Sequence, residues 1–139
     1  MDLNEIYEGV ISGNRDVVSA GVEEALAAGV EPSTLLFDAL IPAMSEVGAR
    51  FERNEFFVPE MLIAARAMQA GMVQLKPLLA ASGVEPVGKV SIGTVKGDLH
   101  DIGKNLVAMM MEGSGFEVVD LGVDASPDKF VDAVKSGVD

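Results

Sequence analysis

The chain has 139 residues, of which 49% are hydrophobic, and carries a formal charge of −12 with one His and no Cys. That length suits one domain or two small ones, and the absence of thiols excludes disulfides, thiolate zinc sites, iron–sulfur clusters and a Cys nucleophile. A single His excludes a His-rich zinc or copper site within one chain, and the acidity disfavours nucleic acid and anionic membranes while suiting selective protein partners.

The acidic opening Met1-Asp2-Leu3-Asn4-Glu5 lacks the basic start of a signal peptide. No run of about 18 uncharged apolar residues follows, so no membrane span and a cytoplasmic protein are expected. Leu3, Ile6 and Val10 share one helical face, and Val18, Val22, Ala25 and Leu26 share another in a second helix that Gly29 ends. Glu31-Pro32-Ser33 opens a third helix, with Pro32 in the first turn, where its missing N–H is harmless. Leu36, Leu40, Ala43, Val47 and Phe51 form its expected buried stripe, and Pro42 within that stripe predicts a kink. Pro59 starts a fourth helix with apolar positions at Met61, Leu62, Ala65, Met68, Met72, Leu75 and Leu79. Residues 1–82 therefore predict a four-helix bundle.

The pattern changes across Ser82-Gly83-Val84-Glu85-Pro86-Val87-Gly88, whose turn residues mark a linker over 83–88. Residues 89–139 then alternate strand and helix. Lys89 to Val95 predicts a strand, and after a glycine-containing loop a helix begins near Lys104 and runs through Leu106, Val107 and Met110. The run Met109-Met110-Met111 is expected to serve helix packing. Phe116 to Leu121 predicts a second strand, and Ser126-Pro127 caps a last helix through Phe130, Val131 and Val134. The order implies a parallel sheet with a right-handed crossover. Two parallel strands do not make an independently stable sheet, so this half is expected to be the first part of a flavodoxin/Rossmann-like doubly wound domain. Either the chain is a fragment or something else supplies the missing strands, and the exposed sheet edges would suit a homodimer. The expected fold class is α + α/β.

The stretch Gly97-Asp98-Leu99-His100-Asp101-Ile102-Gly103-Lys104-Asn105 follows the carboxyl end of the first strand, where open α/β sheets bind ligands. The chain's one His stands here between two carboxylates. A His that ligates a metal commonly donates its other ring N–H to a carboxylate, which fixes the tautomer and raises basicity. Gly97 and Gly103 would let backbone or a bulky ligand pass close. For an isolated Asp-x-His, a solvated surface loop is the competing reading. The loop lacks the Lys and Ser/Thr of a Walker cradle and the G-x-G-x-x-G of a dinucleotide site, and no nucleophile elbow supports a Ser-His-Asp hydrolase.

Asp98-Leu99-His100-Asp101-Ile102-Gly103 matches the D-x-H-x-x-G signature of cobalamin-binding domains, and the run from Thr94 to Asn105 resembles cobalamin-dependent methionine synthase and the corrinoid proteins of methylamine, methanol and methoxyarene methyltransfer systems. Val47-Gly48-Ala49-Arg50-Phe51 through Phe57-Val58-Pro59-Glu60 likewise resembles that family's helical cap, with Val58 where Leu is usual. The resemblance implies a cobalamin or related corrinoid cofactor held base-off and His-on. His100 would be the axial cobalt ligand and Asp98 its hydrogen-bonded support. The other residues from Gly97 to Gly103 would contact the cofactor, with room for the nucleotide tail at Gly103. Phe51 and Val58 would lie over the cobalt, although an inter-helix core cluster is the plainer explanation of Phe51, Phe56 and Phe57. Residues 1–82 would be the cap and 89–139 the first part of the B12-binding domain, without the later loops that line the tail pocket.

By the same resemblance the chain would carry a methyl group, with Co(I) taking it and methyl-Co(III) giving it up. No acid or base for methyl activation is evident. A donor-specific methyltransferase, a methyl-acceptor methyltransferase and a reductive activator would therefore be the partners. Two alternatives stand beside the carrier. One is the corrinoid module of a multidomain methyltransferase such as methionine synthase, which the bundle at the chain's start disfavours. The other is a B12-responsive sensor, or a receiver-like module holding a divalent ion at Asp98 and Asp101.

Overall fold

Helix α1 (Leu3–Ile11) begins where Asp2 accepts a hydrogen bond from the Asn4 N–H and Glu5 reaches back to the Asp2 N–H, a reciprocal cap. This start and all that follows come from a computed structural model, which describes residues 2–139. The structure divides into two units, one ending at Glu85 and the other running from Pro86 to Asp139.

In the first unit α2 (Arg15–Ala27) ends at Gly29, whose φ of 85° lets its N–H and that of Val30 return to the carbonyls of Leu26 and Ala25. The third helix is continuous in three parts, α3 (Pro32–Leu35), a π turn (Leu36–Leu40) and α4 (Ile41–Glu52). The kink expected at Pro42 takes the form of that π turn just upstream. Pro42 has no N–H for the Asp38 carbonyl, and its ring would strike that oxygen in an α register, so the widened turn removes both conflicts. Helix α5 (Val58–Ala81) completes the bundle.

Ile6, Val10, Val18, Val22, Leu35, Leu40, Val47, Met68 and Leu75 are fully buried and form the bundle's core. The α5 stripe is built differently from the expected one. Met61, Leu62 and Met72 are half-buried, while the small residues Ala64, Ala67 and Gly71 are buried. Their size allows α5 to approach α2 closely. A Cβ on Gly71 would lie 3.2 Å from methyls of both Val18 and Val22. Phe51 also departs from expectation, because it ends the third helix exposed rather than within the buried stripe.

The second unit runs β1 (Lys89–Ile92), α6 (Ile102–Gly113), β2 (Glu117–Asp120) and α7 (Pro127–Lys135). The strands pair in parallel, Lys89 against Glu117 through Ile92 against Asp120. Both are shorter than predicted, because past Ile92 the chain makes room for α7. A Cβ on Gly93 would come within 3.1 Å of the Phe130 ring. Pairing resumes at the mouth, where Val95 bridges Ala125 and the Thr94 N–H donates to the Gly122 carbonyl at 2.8 Å. Helix α6 starts at Ile102, two residues before the predicted Lys104, and Met109, Met110 and Met111 lie half-buried on it. A helical bundle followed by the opening of a doubly wound parallel domain is the architecture anticipated. Among the described residues, no helix is long and apolar enough to cross a membrane.

Candidate functional site

The loop joining β1 to α6 is shaped by its own backbone. Asp98 N–H closes a turn on the Val95 carbonyl at 3.1 Å, with Gly97 at φ 85°, a conformation that costs glycine little. The buried Thr94 hydroxyl donates to the His100 carbonyl at 2.7 Å, so the loop is held from beneath as well. Asp98 then organises the His. Its Oδ1 accepts the His100 backbone N–H at 3.0 Å and lies 2.5 Å from His100 Nδ1.

These contacts fix the electrostatics. The Asp98 carboxyl is held below its usual range, chiefly by the His100 backbone N–H and then by the ring. The His100 imidazole is raised by its bond to Asp98 and by that carboxylate's charge. With an ionised carboxylate on Nδ1, that nitrogen carries the proton, and the neutral ring presents the Nε2 lone pair. The His100 side chain is 97% exposed and Nε2 has no partner among the described residues, so the lone pair faces open space. Leu99 and Ile102 beside it are 72% and 85% exposed, and nothing lies within 4 Å of a Cβ built on Gly97 or Gly103. Asp101 is the N-cap of α6 by position, without a side-chain capping bond.

The donor set decides what such a site can hold. No group of three His, Cys, Asp or Glu side chains capable of holding a metal ion occurs among the described residues. One basic nitrogen, backed by a carboxylate and set in an open apolar surface, instead fits a metal whose other positions are filled by a large organic ring.

Structure adds two ties that sequence reasoning missed. Asp124, in the loop after β2, accepts the Gly97 N–H at 2.8 Å and donates its own N–H to the Asp98 carbonyl at 3.0 Å. Lys104 Nζ, on a side chain only 9% exposed, bonds both oxygens of Asp120 at 2.7 and 2.8 Å. Asp120 also accepts the Gly122 N–H, and these contacts, Lys104 first, hold its carboxyl below the ordinary range. The available signal was two acids flanking a glycine at the carboxyl end of a strand, Asp120-Leu121-Gly122-Val123-Asp124.

The remaining predicted site residues, Phe51 and Val58, belong to the helical unit. They flank the turn between α4 and α5, and each is 43% exposed. Asn54 at φ 60° ends α4 by the same motif that Gly29 uses for α2, with its N–H on the Phe51 carbonyl and the Glu55 N–H on that of Arg50. Glu46, Arg50, Arg53 and Glu55 form an ion-pair network over the turn, and Arg50 stacks 5.3 Å from the Phe56 ring. Phe57 is also exposed, so Phe51 and Phe57 are not an inter-helix core cluster.

Comparison with known proteins decides the family. Residues 2–76 and 88–138 each match a family model described as a B12 binding domain. The chain belongs to the B12-binding domain family. Its cofactor is accordingly cobalamin or a related corrinoid. This B12-binding chain is 43% identical over 135 residues to the dimethylamine corrinoid protein of Methanosarcina barkeri, covering 96% of the chain and 62% of that relative. It thus spans less than two thirds of that relative's length. Among solved structures it resembles a chain of the methanol:cobalamin methyltransferase complex of Methanosarcina barkeri, with a TM-score of 0.84 and 32% identity over 96% of this chain and 51% of that one. It also resembles a cobalamin-binding protein of Desulfitobacterium hafniense, with a TM-score of 0.71 and 35% identity over 97% of this chain and 63% of that one.

Proposed function

We propose that this B12-binding chain holds its corrinoid base-off, with His100 in place of the cofactor's own benzimidazole, and serves as a methyl carrier between methyltransferases. The observation that carries this reading is the His100 imidazole, fixed at Nδ1 by Asp98 and free at Nε2. A bound corrinoid supplies a cobalt centre that accepts and gives up a methyl group. The protein's share is to bind, orient and shield.

His100 would supply the nitrogen that holds the cobalt, and Asp98 raises its basicity by holding the Nδ1 proton. Gly97 and Gly103 leave the surface low beside it, and the exposed Leu99 and Ile102 offer apolar contact to the ring and tail, with Asp101 at the head of α6. Phe51 and Val58, in the helical unit, would be its contribution to the cofactor, shielding it from water. Their exposure within the helical unit supports this role, because they are not consumed by the bundle's core.

The partners of this reading are a donor-specific methyltransferase, a methyl-acceptor methyltransferase and a reductive activator, with a homodimer as an accessible assembly. It is supported by the resemblance to the dimethylamine corrinoid protein and to a chain of a methyltransferase complex. The test is the absorption spectrum after incubation with hydroxocobalamin and desalting. The wild type is expected to retain corrinoid with a His-ligated spectrum that His100→Ala alters or abolishes. Identical spectra for the two would overturn the axial assignment.

A further inference from the structure

We infer that Asp124 is a positioning residue for the cofactor loop, setting the orientation of His100 through a clasp on the Gly97–Asp98 backbone. The inference rests on the axial role of His100 proposed above. Asp124 touches the loop at two points, accepting the Gly97 N–H on Oδ1 at 2.8 Å and donating its N–H to the Asp98 carbonyl at 3.0 Å. Those contacts bracket the residue whose carboxylate holds the His100 backbone N–H and Nδ1. The order of contact is therefore Asp124 to Gly97 and Asp98, then Asp98 to His100.

Two further facts favour a dedicated device over an ordinary loop contact. Asp124 has a φ of 51°, a left-handed conformation that only Gly, Asn and Asp adopt readily. Glycine would satisfy that backbone with less strain, yet it would lose the carboxylate that meets Gly97. The clasp also joins the two loops at the carboxyl ends of β1 and β2, where Val95 and Ala125 bridge and the Ala125 N–H reaches the Thr94 carbonyl at 2.8 Å. An Asp at this point ties one loop to the other beside the site, and Asn is the sole replacement that keeps both the backbone preference and the acceptor.

Three variants separate the possibilities. Asp124→Gly keeps the backbone conformation and removes the acceptor, Asp124→Asn keeps both, and Asp98→Asn is a control that alters the His partner directly. In the apo chain, Gly97 amide exchange is expected to accelerate about tenfold or more in Asp124→Gly, the change a lost hydrogen bond of about 1.4 kcal/mol produces. The His100 ring-nitrogen shifts should move toward those of Asp98→Asn, and Asp124→Asn should restore both. After loading with hydroxocobalamin, Asp124→Gly should show a smaller His-ligated fraction at equal Tm. Wild-type exchange and ring shifts in Asp124→Gly would overturn the inference. A wild type with no His-ligated spectrum would instead defeat the axial reading, and the apo measurements would still decide whether Asp124 positions His100.

Discussion

The two units reach order by different means. The helical unit contains every buried apolar residue among those described except Ala125 and Ala133, including Ile6, Leu40, Met68 and Leu75. The α/β unit has a two-stranded sheet with half-covered strands, and its site is set by hydrogen bonds and by the His100–Asp98 and Lys104–Asp120 pairs. Its unused pairing edges show the same economy. On the side of β1 away from β2, the Lys89 carbonyl accepts the Asp139 N–H at 2.9 Å and the Lys89 N–H donates to the Asp139 carboxylate. A bundle stabilised by apolar burial can present exposed aromatic residues at one turn without risk to its core. A sheet with little core depends on polar ties, and those ties converge where the imidazole is held.

The contrast is sharpest in the core. Leu40→Ala removes a fully buried side chain and should lower the helical unit's stability by about 2–5 kcal/mol. Tyr7, the chain's single Tyr in a chain without Trp, gives a fluorescence signal confined to that unit during urea unfolding. A loss under about 1 kcal/mol would show that the bundle does not rest on its core as described.

In the α/β unit the corresponding lever is polar. Lys104→Met should cost about 1–2 kcal/mol, between the values for exposed and buried ion pairs, because the Lys side chain is 9% exposed and the Asp side chain 47%. Asp120 is depressed by Lys104 and the Gly122 N–H, so the pair's contribution is present above the unfolded carboxylate value of about 3.9 and is lost as pH falls through the depressed one. Amide exchange in β2, measured across that range, should lose this pH dependence in Lys104→Met. An unchanged profile would remove the ion pair from the account.

How far the sequence revealed this arrangement follows from the range of each signal. Helices and strands were legible because period and punctuation are local, as at Gly29, Pro32 and Ser126-Pro127. Asp98 and His100 were legible as a pair because they are two residues apart. Asp124 and Asp120 were not, because their partners Gly97 and Lys104 lie 27 and 16 residues away and only the parallel pairing of β1 with β2 brings them together. Phe51 was misplaced for another reason. Its spacing matches the buried stripe, but the stripe ends at Val47, and the last turn of α4 has an exposed face that the periodicity cannot distinguish from core.

Gly48 provides a smaller test of the helical unit. It lies inside α4, and nothing is within 4 Å of a Cβ built there, so Gly48→Ala should stabilise the apo bundle by about 0.4–1 kcal/mol. Destabilisation in urea would mean that packing, rather than an external surface, requires the glycine.

The subtlest difference is a titration. His100 is raised above about 6.5 by Asp98, so the ion pair supports the loop fully below that value and ceases to do so as pH rises through the raised one. Coordination through Nε2 has the opposite sense, needing the neutral ring and weakening as pH falls through the same value. The single His makes the NMR titration unambiguous, and Asp98→Asn should lower its midpoint. An unmoved midpoint would detach Asp98 from the imidazole.

The central claim is that the His100 nitrogen is the protein's ligand to the corrinoid, and electron paramagnetic resonance of the Co(II)-loaded chain tests it most directly. Because His100 is the chain's one His, growth with 15N-labelled histidine labels that ligand alone. The account predicts that the nitrogen splitting of the cobalt lines changes from a triplet to a doublet on labelling. A triplet that persists would show the cofactor's own benzimidazole still in place and would contradict it.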